Sequence, residues 1–144
     1  MIIPDANLLL YACDSTSPFH ESAREWWSHC LSGTEPVGLG HAVLFAFLRI
    51  STSARVYEHP LTLDEAAGHI QSWLKREVVL VLLPEEDHVN RAIALLQAAG
   101  SAGGNLVTDA QIAALAISYK AEVYTADRDF LRFPGLTCRF PLEG

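Results

Sequence analysis

Positive charge is scarce in this chain: ten Lys and Arg stand against 17 Asp and Glu in 144 residues, for a formal net charge of −7 and a pI near 5.2. That is the wrong sign for holding nucleic acid by bulk charge. An anionic ligand would have to be met locally, by arginines or a bound cation acting within a Debye length of about 8 Å. Cysteine is also sparse. Cys13, Cys30 and Cys138 are odd in number and far apart, which excludes a disulfide framework and a CxxC zinc site and fits a reducing, cytoplasmic setting. Long apolar runs are missing, because "VVLVLLP" is far too short to span a bilayer, and the N-terminal "MIIPDANLLLYACD" has no basic leader region. Neither secretion nor membrane insertion is expected. The six histidines show no HExxH spacing, and the glycines of "AGSAGGN" lack the GKS/T ending of a phosphate loop.

What is present is a 50% hydrophobic chain, long enough for one sizeable core, and a single domain over residues 1–144 is expected. Short β-rich segments alternate with helical ones. "MIIPD" reads as a strand ending at Asp5, and a helix follows from the Ser17-Pro18 start signal to Gly33. "EPVGLG" is a weak strand and "HAVLFAFLRISTS" a helix apolar nearly all round, hence buried. "TLDEAAGHIQSWLKR" opens with Thr62 and Glu65 at capping-box spacing. "EVVLVLL" is a third strand, and "PEEDHVNRAIALLQAAG" a helix with acids in its first turn. "GNLVTDAQIAALAISYKA" is the last helix, "EVYTA" a fourth strand and "LTCRFPL" a fifth at an edge. Strands separated by helices predict an α/β domain with a largely parallel sheet of four to five strands, whose ligand sits beyond the strands' carboxyl ends.

Aspartates fall where that rule puts a ligand. Asp5 ends the first strand, and Asp127 and Asp129 follow the fourth. Asp109 lies on the apolar side of its helix, with Ile112, Ala113 and Ala116 on the same face. A buried unpaired carboxylate costs several kcal/mol, so it must be protonated, hydrogen-bonded or matched by a cation. Each acid has an ordinary alternative: Asp109 as a helix-start stabiliser, Asp5 as a strand-end cap, "ADRD" as a turn. Convergence of remote acids with no adjacent Lys or Arg at Asp5 or Asp109 favours a hard divalent cation, Mg²⁺ or Mn²⁺, since no Cys or His motif accompanies them.

"PDANLLLYA", "LVTDAQIAALA", "YTADRDFLRFPGL" and the intervening "FLRISTSARVYEHPLTLDEA" together resemble the PIN-domain ribonucleases, specifically the VapC-type toxins of bacterial toxin–antitoxin pairs. The resemblance covers nearly the whole chain. It implies a PIN-like three-layer α/β/α sandwich and a Mg²⁺-dependent endoribonuclease, neutralised by a cognate antitoxin and often a homodimer. It also implies Asp5, Asp109 and Asp127 as metal-site acids and Asp129 as a lesser catalytic member. Two positions depart from the pattern, because Ala46 stands near a usual glutamate and Ser118 at another commonly acidic place.

Arg49 and Arg55 bracket "ISTSA" and are candidates to grip RNA phosphates, with an ordinary surface pair as the alternative. Asn7 is a candidate to orient a carboxylate by hydrogen bonding. Trp26, Trp27 and Trp73 suit core or interface packing better than base stacking. Two competing functions are a phosphatase, which would want DxD where the chain has Asp5-Ala6-Asn7, and a binding module that keeps the fold and antitoxin surface but has lost turnover.

Overall fold

The computed structural model describes residues 1–143. Five parallel strands form one sheet in the order β3-β2-β1-β4-β5: β1 (Ile2–Pro4), β2 (Val37–Gly40), β3 (Val79–Leu82), β4 (Glu122–Tyr124) and β5 (Cys138–Arg139). Helices α1 (Ala6–Cys13), α2 (His20–Ser32), α3 (His41–Ser51), α4 (Leu63–Leu74), α5 (His88–Ala98) and α6 (Leu106–Ser118) connect them, and a 3-10 turn spans Arg128–Arg132. The chain walks outward from β1 to β2 and β3, then returns to the other side of β1 for β4 and β5. The strand order therefore reverses between β1 and β4, and the carboxyl ends of those strands are where a sheet of this kind receives its ligand.

The expected strands and the Thr62–Glu65 capping box are all present: Thr62 Oγ1 accepts the Glu65 N–H and Glu65 returns a carboxylate oxygen to the Thr62 N–H. Two local readings change. "ANLLLYAC" is helix α1, which starts directly after Asp5; buried at Ala6, Leu8, Leu9, Leu10 and Ala12, it is apolar on too many sides to show a helical period. The acids of "PEED" precede α5 instead of occupying its first turn, with Asp87 at the N-cap. Helix α3 is buried at Val43, Leu44, Ala46 and Phe47, yet Phe45 is 65% exposed, so its apolar circumference exceeds what the core covers.

Ile3, Leu9, Leu39, Val123 and Phe130 anchor the core at full burial, with Ala110, Ala113, Ala114 and Ala116 letting α6 approach closely. Trp73 packs edge-on against both Phe47 and Trp27, and Trp26 stacks on Tyr124, so all three tryptophans serve packing. Gly38 is needed for a close approach of another kind: a Cβ there would overlap Leu82 Cδ1 and stand 2.9 Å from Met1 Sδ. Gly38→Ala is expected to cost about 1–3 kcal/mol by overpacking, read as a lowered midpoint in denaturant. An unchanged midpoint would show that Leu82 rotates away freely. Among the described residues no helix is long and apolar enough to cross a membrane.

Candidate active site

Asp5 is the last residue before α1, with extended backbone, and only 4% of it is exposed. The strand carries it to the point where the strand order reverses, and the following helix start turns the Ala6 and Asn7 N–H groups toward it. Thr125, fully buried beyond β4, donates its hydroxyl to Asp5 Oδ2 at 2.9 Å and accepts the Asp127 N–H at 2.9 Å. Asp127 in turn accepts the Asp129 N–H on Oδ1 at 2.9 Å, which starts the 3-10 turn. One chain of hydrogen bonds thus ties the ends of β1 and β4 and fixes three acids relative to one another.

Asp109 lies in the first turn of α6. That first-turn position is where the helix dipole favours a negative charge, so the helix-stabiliser alternative stays open for this residue. The acids lie near enough to feel one another's charge. Burial pushes Asp5 up from 3.8 to about 6, against the lowering effect of the Thr125 hydroxyl and the Ala6 and Asn7 N–H groups and with a further raise from Asp127. Asp109 rises from 3.8 to about 7, first by burial and then by the charges of Asp5, Asp127 and Asp129. No Lys or Arg acts on either group.

Of the other candidates, Arg49 lines an open groove of about 530 Å³ with Phe45, Ala46, Leu63, Thr108 and Gln111, the last two flanking Asp109. Arg55 is exposed in the turn beyond α3 and lines none of this groove. Asn7 faces Asp5 with its backbone N–H, and the hydroxyl that holds the carboxylate belongs to Thr125. Ala46 is buried on α3 against the groove and brings no charge to it; Ser118, at the far end of α6, donates back to Leu115 O. Thr125 was missed from sequence. Its only signal is a hydroxyl inside "YTAD", two residues before the acid it serves.

Thr125→Val keeps the shape but strips a hydrogen bond from a buried carboxylate and orphans the Asp127 N–H. A loss of about 1–3 kcal/mol in stability and about 10–100-fold in whatever the carboxylates do is expected, checked by thermal melts and activity together. If neither moves, Thr125 is a filler.

The donor set is hard oxygen. Among the described residues no three His, Cys, Asp or Glu side chains close around one point as a cage would. Magnesium does not demand a cage: it keeps several waters and binds through one or two carboxylates. Asp5 and Asp109, both raised by burial and by neighbouring carboxylates with no Lys or Arg acting on them, fit such a hydrated ion.

The PIN domain family matches residues 2–136. The chain is 43% identical over 143 residues to Ribonuclease VapC33 of Mycobacterium tuberculosis, covering 99% of both, and 36% identical to Ribonuclease VapC37 of the same organism over 94% of each. Among solved structures it resembles VapBC2 from Rickettsia felis bound to a promoter DNA fragment (TM-score 0.68, 19% identity, 96% of this chain and 98% of that one). It also resembles M. tuberculosis VapC20, a Sarcin-Ricin loop cleaving toxin (TM-score 0.68, 19% identity, 91% and 93%). The latter two share the fold, a PIN-like α/β sandwich built on the same parallel sheet. With a family match over residues 2–136 and this identity to its curated relatives, the chain belongs to the PIN-domain family and, within it, to the VapC ribonucleases.

Proposed function

We propose that this chain is a Mg²⁺-dependent endoribonuclease, the toxin of a toxin–antitoxin pair, which hydrolyses RNA phosphodiesters in the cytoplasm. What supports the reading is that Thr125 ties Asp5 to Asp127 and, through it, Asp129 where the strand order reverses, and that Asp109, from a remote stretch of chain, feels the charge of all three. Asp5, Asp109 and Asp127 would hold Mg²⁺, with Mn²⁺ as a substitute, directly or through its waters. The ion supplies a polarised phosphoryl oxygen and a more acidic bound water.

The chain's own residues do the rest. Thr125 holds Asp5 in one rotamer. Asp127 Oδ1 is committed to the Asp129 N–H, leaving Oδ2 to accept the proton of the attacking water as a bond forms to phosphorus and the bond from phosphorus to a ribose oxygen breaks, that oxygen taking a proton from solvent. Asp129, exposed at the rim, adds negative charge that Ala46 does not supply, and Arg49 grips a neighbouring phosphate across the groove. An antitoxin chain is the expected partner, supported by VapBC structures among the fold's neighbours. Its surface is the same groove, where Phe45 and Leu63 are 65% and 66% exposed.

The missing carboxylate at Ala46 favours a second reading, a module that binds antitoxin with little or no turnover. The test is incubation of the purified, partner-free chain with structured RNA, with and without Mg²⁺ or Mn²⁺. Cleavage only with the ion supports the nuclease; binding of antitoxin peptide without cleavage of any RNA supports the module.

A further inference from the structure

Five of the six phenylalanines have a packing role: Phe47, Phe130 and Phe133 are buried, Phe19 leans on Tyr11, and Phe140 lies under the Arg128 guanidinium. Phe45 is the exception. It stands 65% exposed on α3 and meets His41, one turn earlier, with ring centroids 6.2 Å apart and planes crossed at 68°. A crossed contact of that kind occupies at most one face of the phenyl ring. A lone exposed ring is ordinary on a protein surface, but the surroundings of this one are not.

Phe45 lines the open groove of about 530 Å³ bounded by α3, the start of α4 and the first turns of α6. Arg49, four residues on, shares its helix face about one turn, or 5.4 Å, further along. It is exposed and enters no ion pair among the described residues. From α6, Gln111 lines the same groove two residues beyond Asp109; its Nε2 makes only a 3.5 Å contact with Val107 O, and its Oε1 accepts nothing. An uncovered π-face, an amide with a donor and an acceptor to spare and an unpaired cation therefore line one groove.

The geometry points to a docking site for one unpaired base of the substrate RNA, adenine by preference, made by Phe45 and Gln111 beside the phosphate held by Arg49. The inference rests on the nuclease reading of the neighbouring acids and names what their substrate presents. The base lies on the phenyl ring, and a base still held in a duplex stack cannot, so the docked nucleotide is single-stranded. The Gln111 carbonyl accepts the adenine N6–H and its NH2 donates to N7. Guanine stacks as well but offers an acceptor, O6, where the carbonyl needs a donor. An apolar peptide would use Phe45 and Leu63 and leave the amide and the guanidinium unanswered; a nucleotide answers ring, amide and cation together. An antitoxin laid in the groove would cover this base site.

The test is binding of a synthetic RNA backbone of about nine ribose phosphates carrying one central base, adenine or guanine, or none. Fluorescence anisotropy at low salt in EDTA reads binding without turnover. The parent is expected to bind the adenine strand about tenfold or more tighter than the base-free strand, with guanine between them. Phe45→Ala and Phe45→Leu are expected to bring that ratio to about twofold or less and Phe45→Trp to keep it, all three leaving the base-free strand bound as before, which also controls for folding. Gln111→Ala is expected to erase the difference between adenine and guanine alone, and Arg49→Ala to weaken all strands equally. A parent that binds the strands alike or not at all, a Phe45→Ala that keeps the base preference, or a Gln111→Ala that still favours adenine over guanine would each overturn the proposal. Base-blind binding with antitoxin peptide still captured would give the face to the antitoxin alone. A chain that distinguishes the strands yet cuts no RNA with Mg²⁺ loses the nuclease reading and keeps the base site; one that cuts without distinguishing them does the reverse.

Discussion

Asp5→Asn and Asp109→Asn are each expected to lower metal-dependent RNA cleavage by about a thousandfold or more, the scale of removing a group that acts on transition-state charge. The asparagine at position 5 can still accept the Thr125 hydroxyl, so the link between β1 and β4 survives and a loss of activity cannot be charged to a collapsed site. A merely structural carboxylate behaves differently: its removal changes stability and leaves the rate per folded molecule unchanged. Single-turnover cleavage at saturating Mg²⁺, with circular dichroism on the same samples, separates the two. Should either variant cut as fast as the parent, the carboxylate assignment is wrong.

Without a divalent cation, the buried charge at Asp5 should make the protein less stable as pH rises. Its folded pKa, about 6, lies above the ordinary 3.8, so between those values the folded state holds more protons than the unfolded one. Stability then falls as pH rises through that window, and the full cost, on the order of 3 kcal/mol, persists above it. Asp109, raised to about 7, extends the decline toward neutrality, reduced by solvent because this side chain is only partly buried. Glu65, Glu122 and Asp87 act in the opposite sense, their pKa values lowered by hydrogen bonds, so the informative quantity is the parent curve minus the Asp5→Asn curve. Adding Mg²⁺ at a hundredfold excess over its Kd should return about 2.7 kcal/mol, a rise in Tm on the order of 10 °C, larger at pH 8 than at pH 5. The same rise in Asp5→Asn would mean that the ion binds elsewhere.

Much of the architecture was legible because it rests on local rules. The alternation of apolar segments with capped helices, the Thr62–Glu65 box and the strand-end position of Asp5 depend on neighbours a few residues away. Helix α1 escaped because "NLLLYA" is buried on most sides, and a segment without a polar face carries no period. The acids before α5 were drawn into the helix because composition places charge near a helix start without saying on which side of the cap it falls. Asp109 stood out as the lone charge on an apolar helix. Thr125 did not, because a buried hydroxyl has a visible purpose only when its partner, 120 residues earlier, is known.

By itself the sequence determined the class of fold, the family and the acids available to a metal, since these follow from pattern, order and residue type. Only the tertiary structure decided that Thr125 joins Asp5 to Asp127, that Asp109 lies within reach of their charge, that Arg49 and not Arg55 lines the groove with Thr108 and Gln111, and that β3 is left as an open edge. Each of these is a distance between residues far apart along the chain, and such distances are set by strand order and helix packing, which no local stretch encodes.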